Sequence, residues 1–60
     1  MKIKVREYLQ RGAFIDENGN IYYVDCYDGY NEVIVNSETL EEFRPSAFDE
    51  HGECIEIEKM

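Results

Sequence analysis

Residues 12–36 read Gly12-Ala-Phe-Ile-Asp16-Glu-Asn18-Gly19-Asn-Ile21-Tyr-Tyr-Val24-Asp-Cys26-Tyr-Asp28-Gly29-Tyr30-Asn-Glu-Val-Ile-Val-Asn36. Two turn dipeptides, Asn18-Gly19 and Asp28-Gly29, separate runs of β-branched and aromatic residues. Such dipeptides between apolar runs are the strongest local signal for a β-hairpin, because both residues tolerate positive φ. The stretch is expected to form a three-stranded meander. With two-residue turns at both sites, Phe14 faces Tyr23, Ala13 faces Val24, Val24 faces Val33, Asp25 faces Glu32 and Tyr23 faces Ile34. Side chains alternate along a strand, so one face collects Ala13, Ile15, Tyr22, Val24, Cys26, Val33 and Val35. That face is expected to be the core. The opposite face carries Phe14, Tyr23 and Ile34 in one row, Asp25 opposite Glu32 in the next, and Tyr27 with Tyr30 beyond.

Working outward, Lys2–Leu9 alternates, with Ile3, Val5 and Leu9 on one face and Lys4, Arg6 and Tyr8 on the other. This predicts a strand. Glu7 falls on the apolar face, which a bulge or strand end would relieve. After the meander, Thr39 followed three residues later by Glu42 fits a capping box, and Pro45 stops any helix near Phe43. One or two helical turns are expected there. Residues 46–55 repeat the pattern of 13–21: Ala-Phe, then Asp-Glu-x-Gly, then Ile. The same kind of tight turn is expected at both places. From Glu53 to Lys59 the chain alternates again, with Ile55 and Ile57 expected inward and Cys54, Glu56 and Glu58 outward.

These elements sum to an all-β domain spanning residues 1–60, with one short helical turn. The expected architecture is a small five-stranded SH3-like barrel or a strongly curled antiparallel sheet built on the 12–36 meander. A 60-residue chain buries only about 60% of its unfolded surface, so its stability is marginal without help. Two cysteines are too few for a disulfide framework, and a homodimer is the expected extra source of stability. No apolar run is long enough to span a membrane and no leader pattern is present, so a cytoplasmic location with reduced thiols is expected.

Charge narrows the function. Fourteen acidic residues against six basic ones give −8. The balance is uneven: residues 1–11 carry Lys2, Lys4, Arg6 and Arg11 against Glu7, and the remaining thirteen acids face only Arg44 and Lys59. This argues against direct binding to nucleic acid or an anionic membrane, and favours a partner protein with a basic surface. Catalysis is not expected, because His51 is the lone histidine and no nucleophile, base and orienter assemble around it. A zinc site from Cys26, His51 and Cys54 is disfavoured by the expected inward and outward placement of the two cysteines. Asp16-x-Asn18-x-Asn20 opens like a calcium loop, but Ile21 and Tyr27 stand where its glycine and its closing glutamate belong.

No cofactor or metal is therefore expected. The candidate partner-binding residues are Phe14, Tyr23, Asp25, Tyr27, Tyr30, Glu32 and Ile34, a tyrosine-rich acidic row of the kind that anchors protein interfaces. One concrete expectation is mimicry of nucleic acid, in which carboxylates occupy the basic site of a host protein. Small acidic inhibitors made by phages and mobile elements share this charge, size and aromatic content. The alternative is an assembly module that homo-oligomerises through strand edges.

Overall fold

The hairpins of the meander form, but their turns close at different places from those the dipeptides suggest. The structure is a computed structural model and describes residues 1–8, 10–29 and 31–60, with the side chains of all of these except Gln10, Arg11 and Asp28. Leu9 and Tyr30 thus lie outside the described residues. The strands are β1 (Lys2–Tyr8), β2 (Gln10–Asp16), β3 (Ile21–Asp28), β4 (Asn31–Asn36), β5 (Glu42–Phe48) and β6 (Cys54–Lys59). Each pairs antiparallel with its sequence neighbours, and β1 pairs with β6, so the six strands close a barrel. A small all-β barrel is therefore present. It has six strands where five were expected.

At the first turn, Gly19 N donates to Asp16 O at 3.2 Å and Asp16 N donates to Asn20 O at 3.1 Å. This is a three-residue connection: a type I turn over 16–19 followed by Gly19 at φ 85°. A type I′ turn would need positive φ at Asn18, and Leu40 is the one non-glycine with positive φ among the described residues. Asp16 selects the longer loop. Its Oδ1 accepts from Asn18 N and Asn20 N at 2.9 Å each. The extra loop residue shifts the register by one, pairing Phe14 with Tyr22 and Ala13 with Tyr23.

The second hairpin is shifted too. Its last rung is Asp28↔Asn31, followed by Tyr27↔Glu32 and Cys26↔Val33. A bulge then inserts Asp25, and pairing resumes at Val24↔Ile34. Asp25 therefore does not oppose Glu32.

A one-residue slip moves every side chain to the other face. Relative to β3, β2 is one residue out of the expected register, and β4 is two out from Asn31 to Val33 and one out beyond the bulge, from Ile34 onward. Phe14 and Ile34 consequently enter the interior, where they meet Val5, Tyr22, Phe43, Cys54 and Ile57, with Ile3 and Val24 packed against them. Ala13 and Ile15 are half-buried outside that cluster, Cys26 is exposed, and Val33 and Val35 are buried without joining it. Tyr22 and Phe43 meet edge to face, with ring centroids 5.4 Å apart. Such a pair adds about 0.5–1.5 kcal/mol beyond its area burial.

The expected helical turn is instead the connection from β4 to β5. Asn36 Oδ1 accepts from Glu38 N and Thr39 N, at 2.8 and 3.0 Å, as a capping side chain would. Asn36 N donates to Glu41 O and Leu40 N to Asn36 O, which closes a hairpin loop before a helix can propagate. Leu40 sits at φ 62°, and Glu42–Phe48 is strand.

The second Asp-Glu-x-Gly turn matches the first. Asp49 N donates to Glu53 O, Gly52 N to Asp49 O, and Asp49 Oδ1 accepts from His51 N and Glu53 N. In β6, the pairs Ala47↔Glu56 and Phe48↔Cys54 leave Ile55 as an extra residue. That bulge reverses the expected phase there: Cys54 is buried and Ile55 exposed. A further irregularity between Glu7 and Tyr8 in β1 leaves Glu7 exposed, which accommodates its position in the apolar alternation.

Removing Ile34, which is fully buried, tests this register. Ile34→Ala is expected to cost about 2–5 kcal/mol, a large share of a small domain's stability. Val24→Ala, at a half-buried position, is expected to cost less than half as much. Urea midpoints of the two variants provide the check, and a lower midpoint for Val24→Ala would contradict the phase of β4.

Candidate functional site

The seven expected partner-binding residues do not share a face. Phe14 is 8% exposed and Ile34 is 0%, so both belong to the core. Tyr30 lies outside the described residues. Tyr23, Asp25 and Tyr27 remain exposed on β3, with Tyr27 at 66%. Glu32, half-buried, stands across the ladder from Tyr27. The bulge at Asp25 splits these residues: Tyr27 and Glu32 pair on the face of the ladder that Ile34 shares, at the open end of the barrel, whereas Tyr23, opposite Val35, lies on the other face.

Phe48 joins this surface, and sequence reasoning did not place it there. It is 56% exposed, and with Asn31, Glu32, Arg44 and Pro45 it lines a cleft of about 150 Å³. The cleft exists because β4 and β5 part. Among the described residues their ladder has two rungs, Ile34↔Phe43 and Val35↔Glu42. Two residues beyond Phe43, Pro45 has no N–H to give a neighbouring strand. The next residue, Ser46, is an extra residue in the β5–β6 pairing and bends β5 further. A proline inside an apparent strand was the signal that could have located the opening.

The polar side chains of β5 are held by β6. Arg44 Nη2 contacts Glu58 Oε1 at 3.1 Å, and Ser46 Oγ donates to Glu56 Oε1 at 2.9 Å. The other ion pairs among the described residues are Lys59–Glu41 and His51–Glu50. Glu32 takes part in none of them.

Elsewhere, Lys2, Lys4 and Arg6 are exposed along β1, beside Asp16 and Glu17, over shallow clefts. Cys26 is exposed on β3, Cys54 is buried, and His51 is exposed in the loop before β6, so the three do not converge. Among the described residues no three potential metal ligands come together. Cys54 Sγ donates to Glu56 O at 3.3 Å. Burial pushes its thiol pKa up, and the fields of Glu32 and Glu56 add to the rise, against the hydrogen bond to Glu56 O.

No protein-family model matches the chain, and comparison with curated proteins and with solved structures returns no match. Among the described residues no helix is long and apolar enough to cross a membrane.

Shifted titrations often mark catalytic groups. The clearest one here belongs to the fold. Tyr22 OH donates to Asp16 Oδ2 at 2.8 Å, and Asn20 Nδ2 donates to the same oxygen at 2.9 Å. Burial, then the bond to Asp16, push the Tyr22 phenol up to about 12. For Asp16, burial is the largest single effect and acts upward. The hydrogen bonds from Asn20, Tyr22 and Asn18 together outweigh it, so the carboxyl is held below its usual range. Both oxygens accept hydrogen bonds, which tie this carboxylate to the turn and to Tyr22.

Two opposite pH dependences follow from linkage. Asp16 has a lowered folded pKa, so its contribution is present above the unfolded value near 4 and is lost as pH falls through the folded one. Tyr22 has a raised folded pKa, so its contribution is present below about 10 and is lost as pH rises toward 12. Asp16→Asn is expected to lower stability near neutral pH and flatten the acid limb. Tyr22→Phe is expected to flatten the alkaline limb. Thermal melts across pH check both; an acid limb unchanged in Asp16→Asn would remove the carboxylate from this role.

Proposed function

We propose that this chain is a small acidic protein-binding domain that engages a basic surface on its partner. Its working surface is the exposed aromatic pair Tyr27 and Phe48 with the carboxylates Asp25 and Glu32. The observation that carries the reading is the exposure of Phe48 in a cleft that Glu32 also lines, with exposed Tyr27 across the ladder from Glu32, in a chain of net charge −8. Aromatic side chains are frequent interface anchors, and opposite charge steers association and makes it salt-sensitive.

In its concrete form the domain mimics nucleic acid. It occupies the Lys/Arg-rich site of a nucleic-acid-binding protein, as an inhibitor made by a phage or mobile element would. The reading places the domain in the cytoplasm and gives it no catalytic role. The basic strip on β1 lies apart from the proposed surface and is free to contact acidic groups at the partner's rim. Homo-oligomerisation through strand edges has less support, because β1–β6 pairing leaves no full-length edge strand.

The test is retention from a nuclease-treated cell extract on immobilised protein. The wild-type chain is expected to hold a Lys/Arg-rich nucleic-acid-binding protein at low salt and release it to added DNA or to high salt. The Tyr27→Ala/Phe48→Ala double variant removes exposed rings only. It is expected to keep its fold and retain at least about tenfold less, a loss of roughly 1.4 kcal/mol. Equal retention by the double variant, or failure of DNA to compete, would overturn the proposal.

A further inference from the structure

We infer that the cleft between β4 and β5 is a socket for one arginine side chain of the partner protein. The inference rests on the protein-binding reading above and specifies its central contact. Size is the first argument. The cleft holds about 150 Å³, below the roughly 300–1,000 Å³ typical of small-molecule sites, and it suits a single long side chain.

The lining is the second argument. Glu32 is half-buried in the wall and enters none of the ion pairs among the described residues, so within that set its carboxylate is the acceptor a cation entering the cleft would meet. Phe48 offers a ring, and Asn31 and Pro45 complete the wall. A guanidinium can stack on an aromatic face while donating two hydrogen bonds to a carboxylate, and an ammonium cannot do both in one plane. The remaining wall residue, Arg44, has its charge taken by Glu58 at 3.1 Å.

The cleft is also held open by the covalent chain. Pro45 cannot close the ladder across it, and the two rungs at Ile34↔Phe43 and Val35↔Glu42 anchor its inner end. The socket is therefore formed before the partner arrives, which lowers the ordering cost of binding.

The experiment titrates the isotope-labelled full chain with a capped peptide carrying one arginine between glycines, followed by amide NMR. Saturable shifts are expected at Asn31, Glu32 and Phe48. The same peptide with citrulline, which keeps the shape and loses the charge, is expected to give none. Glu32→Gln is expected to weaken the arginine peptide about fivefold with the rest of the spectrum unchanged, the size of a partly desolvated ion pair. Phe48→Leu is expected to weaken it independently. Equal binding of the citrulline peptide, undiminished binding by Glu32→Gln, or unsaturable shifts spread over all acidic residues would overturn the socket. If the extract experiment still depends on Tyr27 and Phe48 while the peptide fails, the socket falls and the protein-binding surface stands. If both fail, both fall.

Discussion

The carboxylate of Asp16 decides what this chain buries. By accepting from Asn18 N and Asn20 N it stabilises a three-residue loop over the two-residue alternative. Loop length sets the pairing of β2 with β3, and that pairing puts Phe14 beside Tyr22 in the interior. The second oxygen then receives the Tyr22 hydroxyl at 2.8 Å, so the turn and the core are joined through one side chain. A buried phenol needs a partner, and the turn supplies it. Asp49 repeats the turn between β5 and β6. The two turns lie three strands apart in a meander of six, and therefore at opposite ends of the barrel.

Much of this was legible in the residues, and the losses have specific causes. The faces of β3 were readable up to Val24, because Tyr22-Tyr23-Val24 alternates around one clearly inward position. The likeness of residues 46–55 to 13–21 correctly announced a second turn of the same kind. The phase of β2 and β4 was not readable from the dipeptides, since Asn-Gly and Asp-Gly serve both two-residue turns and turns followed by a bulge. The deciding residue was Asp16, whose side-chain hydrogen bonds act over two and four residues. The bulges at Asp25 and Ile55 carry no compositional mark, and each moved a cysteine across the wall: Cys26 out and Cys54 in. The helical expectation at 37–43 rested on a Thr39…Glu42 capping box that does not form: Thr39 Oγ1 accepts from Glu41 N, Glu42 begins β5, and it is Asn36 Oδ1 that caps the loop.

Closure explains where the surface features fall. A closed barrel satisfies its backbone groups through neighbouring strands, so departures from the ladder concentrate where a residue cannot pair. Here that residue is Pro45. The β4–β5 opening it leaves lies at the barrel end that also carries Tyr27 and Phe48. Alternation placed Tyr23 correctly on the outer face, but the bulge at Asp25 removed its common face with Tyr27 and Glu32. Phe48 was not identifiable from alternation, because its exposure depends on the bulges of β5 and β6 rather than on its neighbours in sequence.

The acidity of the chain divides into two shares. Asp16 and Asp49 are committed to turns, and Glu41 and Glu58 to Lys59 and Arg44. These carboxylates are explained by the fold. Glu7, Glu17, Asp25, Glu32, Glu38, Glu42 and Glu53 enter none of the side-chain hydrogen bonds or ion pairs among the described residues; of these, Asp25 is the extra residue of a bulge and Glu32 lines a cleft. Solubility alone would be served by carboxylates scattered anywhere on the surface, and it gives no reason to set them beside exposed rings. In a domain whose core is this small, leaving Tyr27 and Phe48 in water forgoes burial of about 1.5–3 kcal/mol per large side chain. In the proposed complex a partner covering those rings would recover that burial and meet Glu32 at the same place.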